Sequence, residues 1–399
     1  MFGITLLFDK SFLQSLSPDE SLWLDIFFTS NICPYFFVET LADLSKGEDL
    51  EKAELEVRNI AKKFPEIHGL PNMFHVDLCV YELLGNKVSM QGQIICRPAR
   101  NFINKGEVGF YSKSTPEADA LLRWQHCQYY DIERDQAQNW RQTISSLDLE
   151  GIAKSFSVFK IDEKPCKSLD QCYELAQMVV SSSDHKSEKL ELALNFLQLN
   201  ESAKKQVIAR WKANGYQHLV KCAPYLAFLL KVEFFFQIAI LNKQRSSVRK
   251  SNRMDISYLF YLPFVEIFTT NDDQQFKWAR YFLKSSQELI NGRILKEDLK
   301  ALNLFYKDHI SEEEAEKGIV SLVSYPPMDG DFLTSKLWDK YNPGWRNIID
   351  KDRLEPVSGR LGKISNETKT LIKEVKANSN MHSNLEFDPK KHIFVREKF

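Results

Sequence analysis

The sequence predicts an α/β protein with buried parallel strands, interrupted by a long and mainly helical stretch. Three observations carry that reading. Ile4 to Phe8 is a short apolar run ending at Asp9, which suits a strand buried on both faces better than one that alternates. Phe264 to Thr269 is a second short run, β-branched and aromatic, closed by the polar turn Thr270-Asn271-Asp272-Asp273. Between them, residues 166 to 242 are strongly helical by period.

Taken in chain order, Ser17-Pro18-Asp19-Glu20 comes after the first strand. Serine at the N-cap, proline at the first helical position and glutamate three residues after the cap make a capping box. Leu22, Trp23, Ile26 and Phe27 then fall at helical spacing. Pro34 opens another helical segment, PYFFVETLADLSKG, with Gly47 expected to end it. Residues 48 to 70 read as a charged amphipathic helix running to Phe64-Pro65. Residues 76 to 112 read as a small β-containing insertion: VDLCVYELLGNKVSMQGQIICRP places a Gly-Asn turn between strand-like runs, and GEVGFYS follows. Helical pattern returns from Pro116 to Leu149. Asp255 to Leu262 fits two turns of helix stopped by Pro263, and residues 274 to 309 look helical. From Lys351 the chain reads as a loosely held tail.

Hydrophobic residues make up 43% of the 399-residue chain and charged residues 27%, values that argue for a folded chain and against overall disorder. A net charge of −1 offers no global field for attracting nucleic acid, so a polyanion would need a local basic patch or a bound cation. Cys33, Cys79, Cys96, Cys127, Cys166, Cys172 and Cys222 are odd in number and contain no CxxC pair. That excludes a zinc ribbon and a disulfide framework, and it suits reduced thiols in a cytoplasmic protein. No signal peptide is expected, since Asp9 comes too early. Ala223 to Asn242 is about long enough to cross a bilayer, but Lys231 and Glu233 at its centre would each cost roughly 2.5–3.5 kcal/mol there. It is read as a buried core helix, with no membrane association expected.

Chemistry concentrates where the two strands end. In open parallel sheets, ligands bind beyond the carboxyl ends of the strands. If both strands share a sheet, Asp9 and Asp272 converge at one edge, with Glu39 and Asp255 facing the same crevice from helical segments. Close carboxylates cannot all stay ionised without a neutralising charge. A divalent cation supplies it, and all-oxygen ligands suit Mg2+ or Mn2+.

The blocks LLFDKSFL and TTNDDQQF, with FFVETLADL after the first and MDISYLFYLPF before the second, resemble PIN-like nuclease domains. The resemblance covers residues 1–50 and 250–285. It implies a three-layer α/β/α sandwich with a central parallel sheet and metal-dependent ribonuclease activity, with Asp9, Glu39, Asp255 and Asp272 as the acids. Ser11 matches the small hydroxyl residue often found two positions after the first acid and is expected to contact the nucleic acid. Within this frame the chain divides into a first PIN-like part (1–50), an insertion (51–250), a second PIN-like part (251–310) and a C-terminal extension (311–399). Roughly 200 residues separate Glu39 from Asp255, far more than in a compact PIN domain, though such an insertion adds only modest closure entropy. The expected partner is nucleic acid, RNA in preference to DNA, with a protein partner on the helical insertion as a further option. By family analogy alone, the architecture suits a bacterial defence or toxin-like effector.

Each candidate also has a plain structural reading. Asp9 starts a turn, and Asp255 caps its helix. Glu39 lies on a solvated helix face or pairs among Phe36, Phe37 and Leu41. Asp43, one turn beyond Glu39, is a second ligand or a salt-bridge partner of Lys46. Asp272 and Asp273 compete for one place. The basic run Lys243 to Arg253 offers Arg245, Arg249, Lys250 and Arg253 as phosphate contacts, or is a solvated loop. His75, His126 and His218 have no ligand-like spacing. The rival to a nuclease is a catalytically inactive scaffold or protein-interaction module on the same fold, its acids structural.

Overall fold

A computed structural model describes residues 3–96, 100–104, 107–111, 116–161, 165–242, 250–310, 323 and 325–347. Its strands in chain order are β1 (Ile4–Phe8), β2 (Phe28–Ile32), β3 (Gly69–Pro71), β4 (Arg100–Asn104), β5 (Glu107–Tyr111), β6 (Ile267–Thr270) and β7 (Glu288–Asn291). Five of them form one parallel sheet in the order β3–β2–β1–β6–β7, and β4 and β5 make a separate antiparallel hairpin. Helices cover both faces, giving the three-layer α/β/α arrangement with a large helical insertion.

The central strands are almost wholly buried, and β2 and β6 carry the polar residues Thr29, Ser30, Asn31, Thr269 and Thr270 there. In β1 only Thr5 is not fully buried, and every residue of β2 and β6 is buried. Register places Leu7 beside Asn31 on one side and Phe268 on the other. The predicted capping box is present: Ser17 Oγ accepts from the Glu20 N–H at 3.2 Å, and Glu20 Oε2 accepts from the Ser17 N–H at 2.7 Å. That helix, Pro18–Phe27, packs against Gly292–His309, where Trp23 stacks on Tyr306 at 4.4 Å. The Trp338 indole donates to the Phe27 carbonyl at 3.0 Å and ties Leu333–Tyr341 to the same group. The helix opened by Pro34 runs to Ala42, continues as a 3-10 turn over Asp43–Ser45, and meets Gly47 at φ +80°, where glycine is favoured.

Several elements differ from expectation. The stretch read as strand-like after residue 76 forms the helix His75–Leu83. Its apolar residues alternate, but Leu78, Cys79, Glu82 and Leu83 also lie on one helical stripe, and tertiary packing decides for that stripe. The short edge strand β7 lies inside the region expected to be wholly helical. The second central strand begins at Ile267, because a 3-10 turn over Leu259–Phe264 absorbs Pro263. The sheet also draws β3 from the stretch assigned to the insertion. Asp25 fixes β3: its carboxylate accepts from the N–H groups of Glu66, Ile67 and His68 at 2.7–2.8 Å.

The long apolar helix, Pro224–Leu241, is 78% buried inside the protein although its composition would also suit a bilayer. Its central charges have partners within the fold. Glu233 pairs with Arg253 at 2.8 Å and accepts from Gln237, while Lys231 sits 5.2 Å above the Tyr173 ring. Glu82 caps its N-terminus, each carboxylate oxygen accepting one N–H, from Tyr225 and Leu226, at 3.0 Å.

Candidate functional site

From β1 the chain moves outward through β2 and β3, and from β6 it moves the other way to β7. The carboxyl ends of β1 and β6 therefore form the topological switch point, where an open parallel sheet leaves a crevice. Asp9 follows β1 directly, and Thr270 ends β6 beside it, one step beyond the Phe8–Thr269 pairing.

Asp9 is 6% exposed and serves as N-cap of the short helix Lys10–Ser15. Its Oδ1 accepts from the Phe12 N–H at 3.0 Å, and its Oδ2 accepts from the Ser11 hydroxyl. Burial pushes the Asp9 carboxyl up to about 6, and the neighbouring charge of Glu39 pushes the same way. Hydrogen bonds from Ser11, Phe12 and Thr270 oppose the rise without cancelling it. Ser11 thus supports the first acid, an assignment distinct from its expected place against nucleic acid.

Glu39 lies on Pro34–Ala42, partly buried, and accepts from the Tyr258 hydroxyl at 2.8 Å. Its carboxyl is also raised, chiefly by burial and further by Asp43; Lys10 and the Tyr258 hydrogen bond act in the opposite direction. Asp43 is an ion-pair partner, but of different cations from the one expected. Lys10 Nζ stands 2.8 Å from its Oδ2 and an Arg141 nitrogen 3.6 Å from its Oδ1, while Lys46 pairs with Glu56 at 3.1 Å.

The other two acids are held by local bonds. Asp272 caps Asp273–Ala279, its Oδ1 accepting from the N–H groups of Gln274 and Gln275 at 2.8 and 2.7 Å. Its own N–H donates to the Thr270 hydroxyl at 3.0 Å. Asp273 is exposed in the first turn of that helix. Asp255 sits inside Asn252–Tyr258 rather than capping it; Asn252 donates to its Oδ2 at 3.2 Å, and Gln275 donates to its carbonyl at 2.9 Å. Asn271 fastens the turn to the first helix by donating to Ser15 Oγ at 3.0 Å. Gly292 allows that approach, because a Cβ there would stand 2.4 Å from Asn271 Oδ1.

Among the described residues, no three His, Cys, Asp or Glu side chains are grouped so as to hold a metal ion. The expected cage of four acids is thus not assembled as a set, and the coupling is pairwise: Asp9 with Glu39, and Glu39 with Asp43. Asp9 and Glu39 are left as two oxygen-only carboxylates, with the charge of Lys10 acting on Glu39.

Of the basic run, Lys250 donates to the Ser145 carbonyl and Arg253 is engaged by Glu233; Arg245 and Arg249 lie outside the described residues. His75 is buried against Tyr35, Phe74 and Phe260, where burial and Arg253 lower its pKa to about 3, so it stays neutral in the core. Sequence reading passed over Lys10, Tyr258, Thr270 and Arg141. Lys10, Thr270 and Tyr258 all lie inside the blocks LLFDKSFL, TTNDDQQF and MDISYLFYLPF, so their nearness to the acids was visible. Nothing local marked Arg141, which reaches Asp43 from Asp131–Ser146 in the inserted lobe. Comparison with protein-family models, with curated proteins and with solved structures finds no match to this chain.

Proposed function

We propose that the chain is a PIN-like phosphodiesterase that hydrolyses nucleic acid, RNA in preference to DNA, with Mg2+ or Mn2+ held by Asp9 and Glu39. One observation carries the reading: Asp9, a buried carboxyl, stands at the switch point of a parallel sheet, and the charge of Glu39 adds to the rise that burial gives it. When bound, the ion polarises a phosphodiester and brings a water into nucleophile range. The chain's own residues do the rest. Ser11, Phe12 and Thr270 fix the Asp9 carboxylate, and Tyr258 orients Glu39 from the second half of the chain. Asp272 shapes the rim through the turn it caps, and Asp255 stands on the helix that delivers Tyr258. Arg245, Arg249 and Lys250 are proposed for the phosphate backbone. A cytoplasmic defence or toxin-like role rests on the resemblance alone.

A second reading, a scaffold on the same fold, is favoured by the absence of a three-acid group among the described residues and by the structural bonds each acid makes. Single-stranded RNA incubated with the protein and Mn2+ separates the two. Cleavage that falls at least about a hundredfold in both Asp9→Asn and Glu39→Gln supports the nuclease. Cleavage that survives both substitutions sinks the site, and a wild-type protein that cuts neither RNA nor DNA favours the scaffold.

A further inference from the structure

We propose that Lys63 and Lys296 form a clamp for the phosphodiester backbone of a nucleic-acid strand, set at the far end of the short helix that Asp9 opens. This rests on the nucleic-acid reading above and names where the fold would grip the strand. It requires no metal.

Four elements build the clamp. Lys10–Ser15 begins at its Asp9 cap and ends at two neighbouring carbonyls, each taken by one lysine. Lys63 Nζ donates to the Gln14 carbonyl at 2.8 Å, from the turn that follows Leu50–Ala61. Lys296 Nζ donates to the Ser15 carbonyl at 2.5 Å, from the second turn of Gly292–His309. The turn after β6 reaches the same place, where Asn271 donates to Ser15 Oγ at 3.0 Å.

Consecutive carbonyls therefore hold two like charges side by side. Among the described residues neither lysine is paired with a carboxylate, whereas Lys307, farther along the same helix, pairs with Asp19 at 2.9 Å. Burial lowers the Lys63 ammonium below the ordinary lysine value, and the charge of Lys296 lowers it further. Glu20 acts the other way, but its carboxylate already accepts from the Ser17 N–H. A helix C-terminus offers roughly half a negative charge. That is too little for two ammoniums, which repel each other.

A phosphodiester supplies what is missing. Each ammonium has three N–H donors and spends one on its carbonyl. Both lysines stay partly exposed, so an anionic oxygen can reach them. Arg293, three residues before Lys296 and exposed, is the next cation along that helix. Lys10–Ser15 has six residues, a length of about 9 Å. A strand lying along it sets one phosphate near Asp9 and another on the lysines.

The experiment is fluorescence anisotropy of a labelled single-stranded RNA with the full-length protein, in EDTA and over a range of salt. The variants are Lys63→Met, Lys296→Met and the two combined. Methionine keeps the unbranched stem and removes the charge. The control is Lys46→Met with Lys340→Met, which removes two lysines already paired with Glu56 and Glu288. We expect the combined clamp variant to bind at least about tenfold more weakly, with the slope of log K against log salt smaller by about 1.4, roughly 0.7 per lost phosphate contact on a single strand. The control should bind as wild type does. Should the combined variant unfold, the single variants decide, each lowering the slope by about 0.7. Equal weakening in the control overturns the proposal, as does weakening with an unchanged salt slope, which would make the lysines helix caps alone. Clamp variants that bind RNA like wild type overturn it too; if wild type then cuts RNA with Mn2+, the nuclease reading stands. A wild type that binds poly-glutamate but no RNA, or binds neither, overturns the proposal and the nucleic-acid reading together.

Discussion

The hydroxyl of Tyr258 donates to Oε2 of Glu39 at 2.8 Å, across 219 positions of sequence. This bond joins the two halves of the parallel-sheet domain at the candidate site, and the whole inserted lobe lies between them. Tyr258→Phe leaves a partly buried carboxylate oxygen without its donor. We expect a loss of about 1–3 kcal/mol in urea unfolding. Under the proposed function, RNA cleavage should also fall by more than tenfold. A neutral Tyr258→Phe in both assays would remove Tyr258 from the site.

Asp9 links pH to stability. Its folded pKa, about 6, lies above its ordinary value of 3.8, so between the two the native state holds more protons than the unfolded state. The stabilising contribution is present below 3.8 and is lost as pH rises through about 6. Asparagine keeps the cap and carries no charge. Asp9→Asn should match wild type near pH 4 and exceed it at pH 7 by on the order of 2 kcal/mol without metal. Unfolding curves at the two pH values test this, and a variant less stable at pH 7 would contradict the assignment of Asp9 as an uncompensated charge.

Glu233 and Arg253 account for a charge in the middle of an apolar helix. Glu233 is 4% exposed and pairs with Arg253 at 2.8 Å. Glu233→Ala should destabilise by roughly 3–5 kcal/mol, since it strands a partly buried guanidinium. Adding Arg253→Met should recover part of that loss in a double-mutant cycle. Additive losses would show that the two side chains do not depend on each other.

Asp25 is the anchor of the edge strand β3. Asp25→Ala leaves the N–H groups of Glu66, Ile67 and His68 without their acceptor. A cost of about 1–3 kcal/mol is expected, since these part-buried donors can turn in part to water. Hydrogen exchange at residues 66–71 should quicken before the rest of the sheet responds. Uniform quickening would place Asp25 in the global core instead.

Much of the frame was legible from local chemistry. β1 and the capping box at Ser17 emerged at the expected residues, because an apolar run, a serine cap and Pro18 act over only a few positions. Helix followed by Gly47 is of the same kind. The strand β7 was not legible, since Glu288–Asn291 has four residues at a sheet edge and takes its conformation from pairing with β6. His75–Leu83 was misread because both periods fit so short a segment, and only its packing chooses.

For the site, the sequence by itself determined which acids stand at the ends of strands: Asp9 after β1 and Asp272 after β6. Turn and capping propensities are properties of short segments, and they place those residues without any knowledge of the fold. Tertiary structure decided which charges meet. It brought Tyr258 to Glu39, gave Asp43 to Lys10 and Arg141, and turned Asp272 onto its own helix. Those pairings depend on distances of a few ångströms between elements far apart in the chain, where burial strengthens each charge interaction, and no local pattern of residues encodes them.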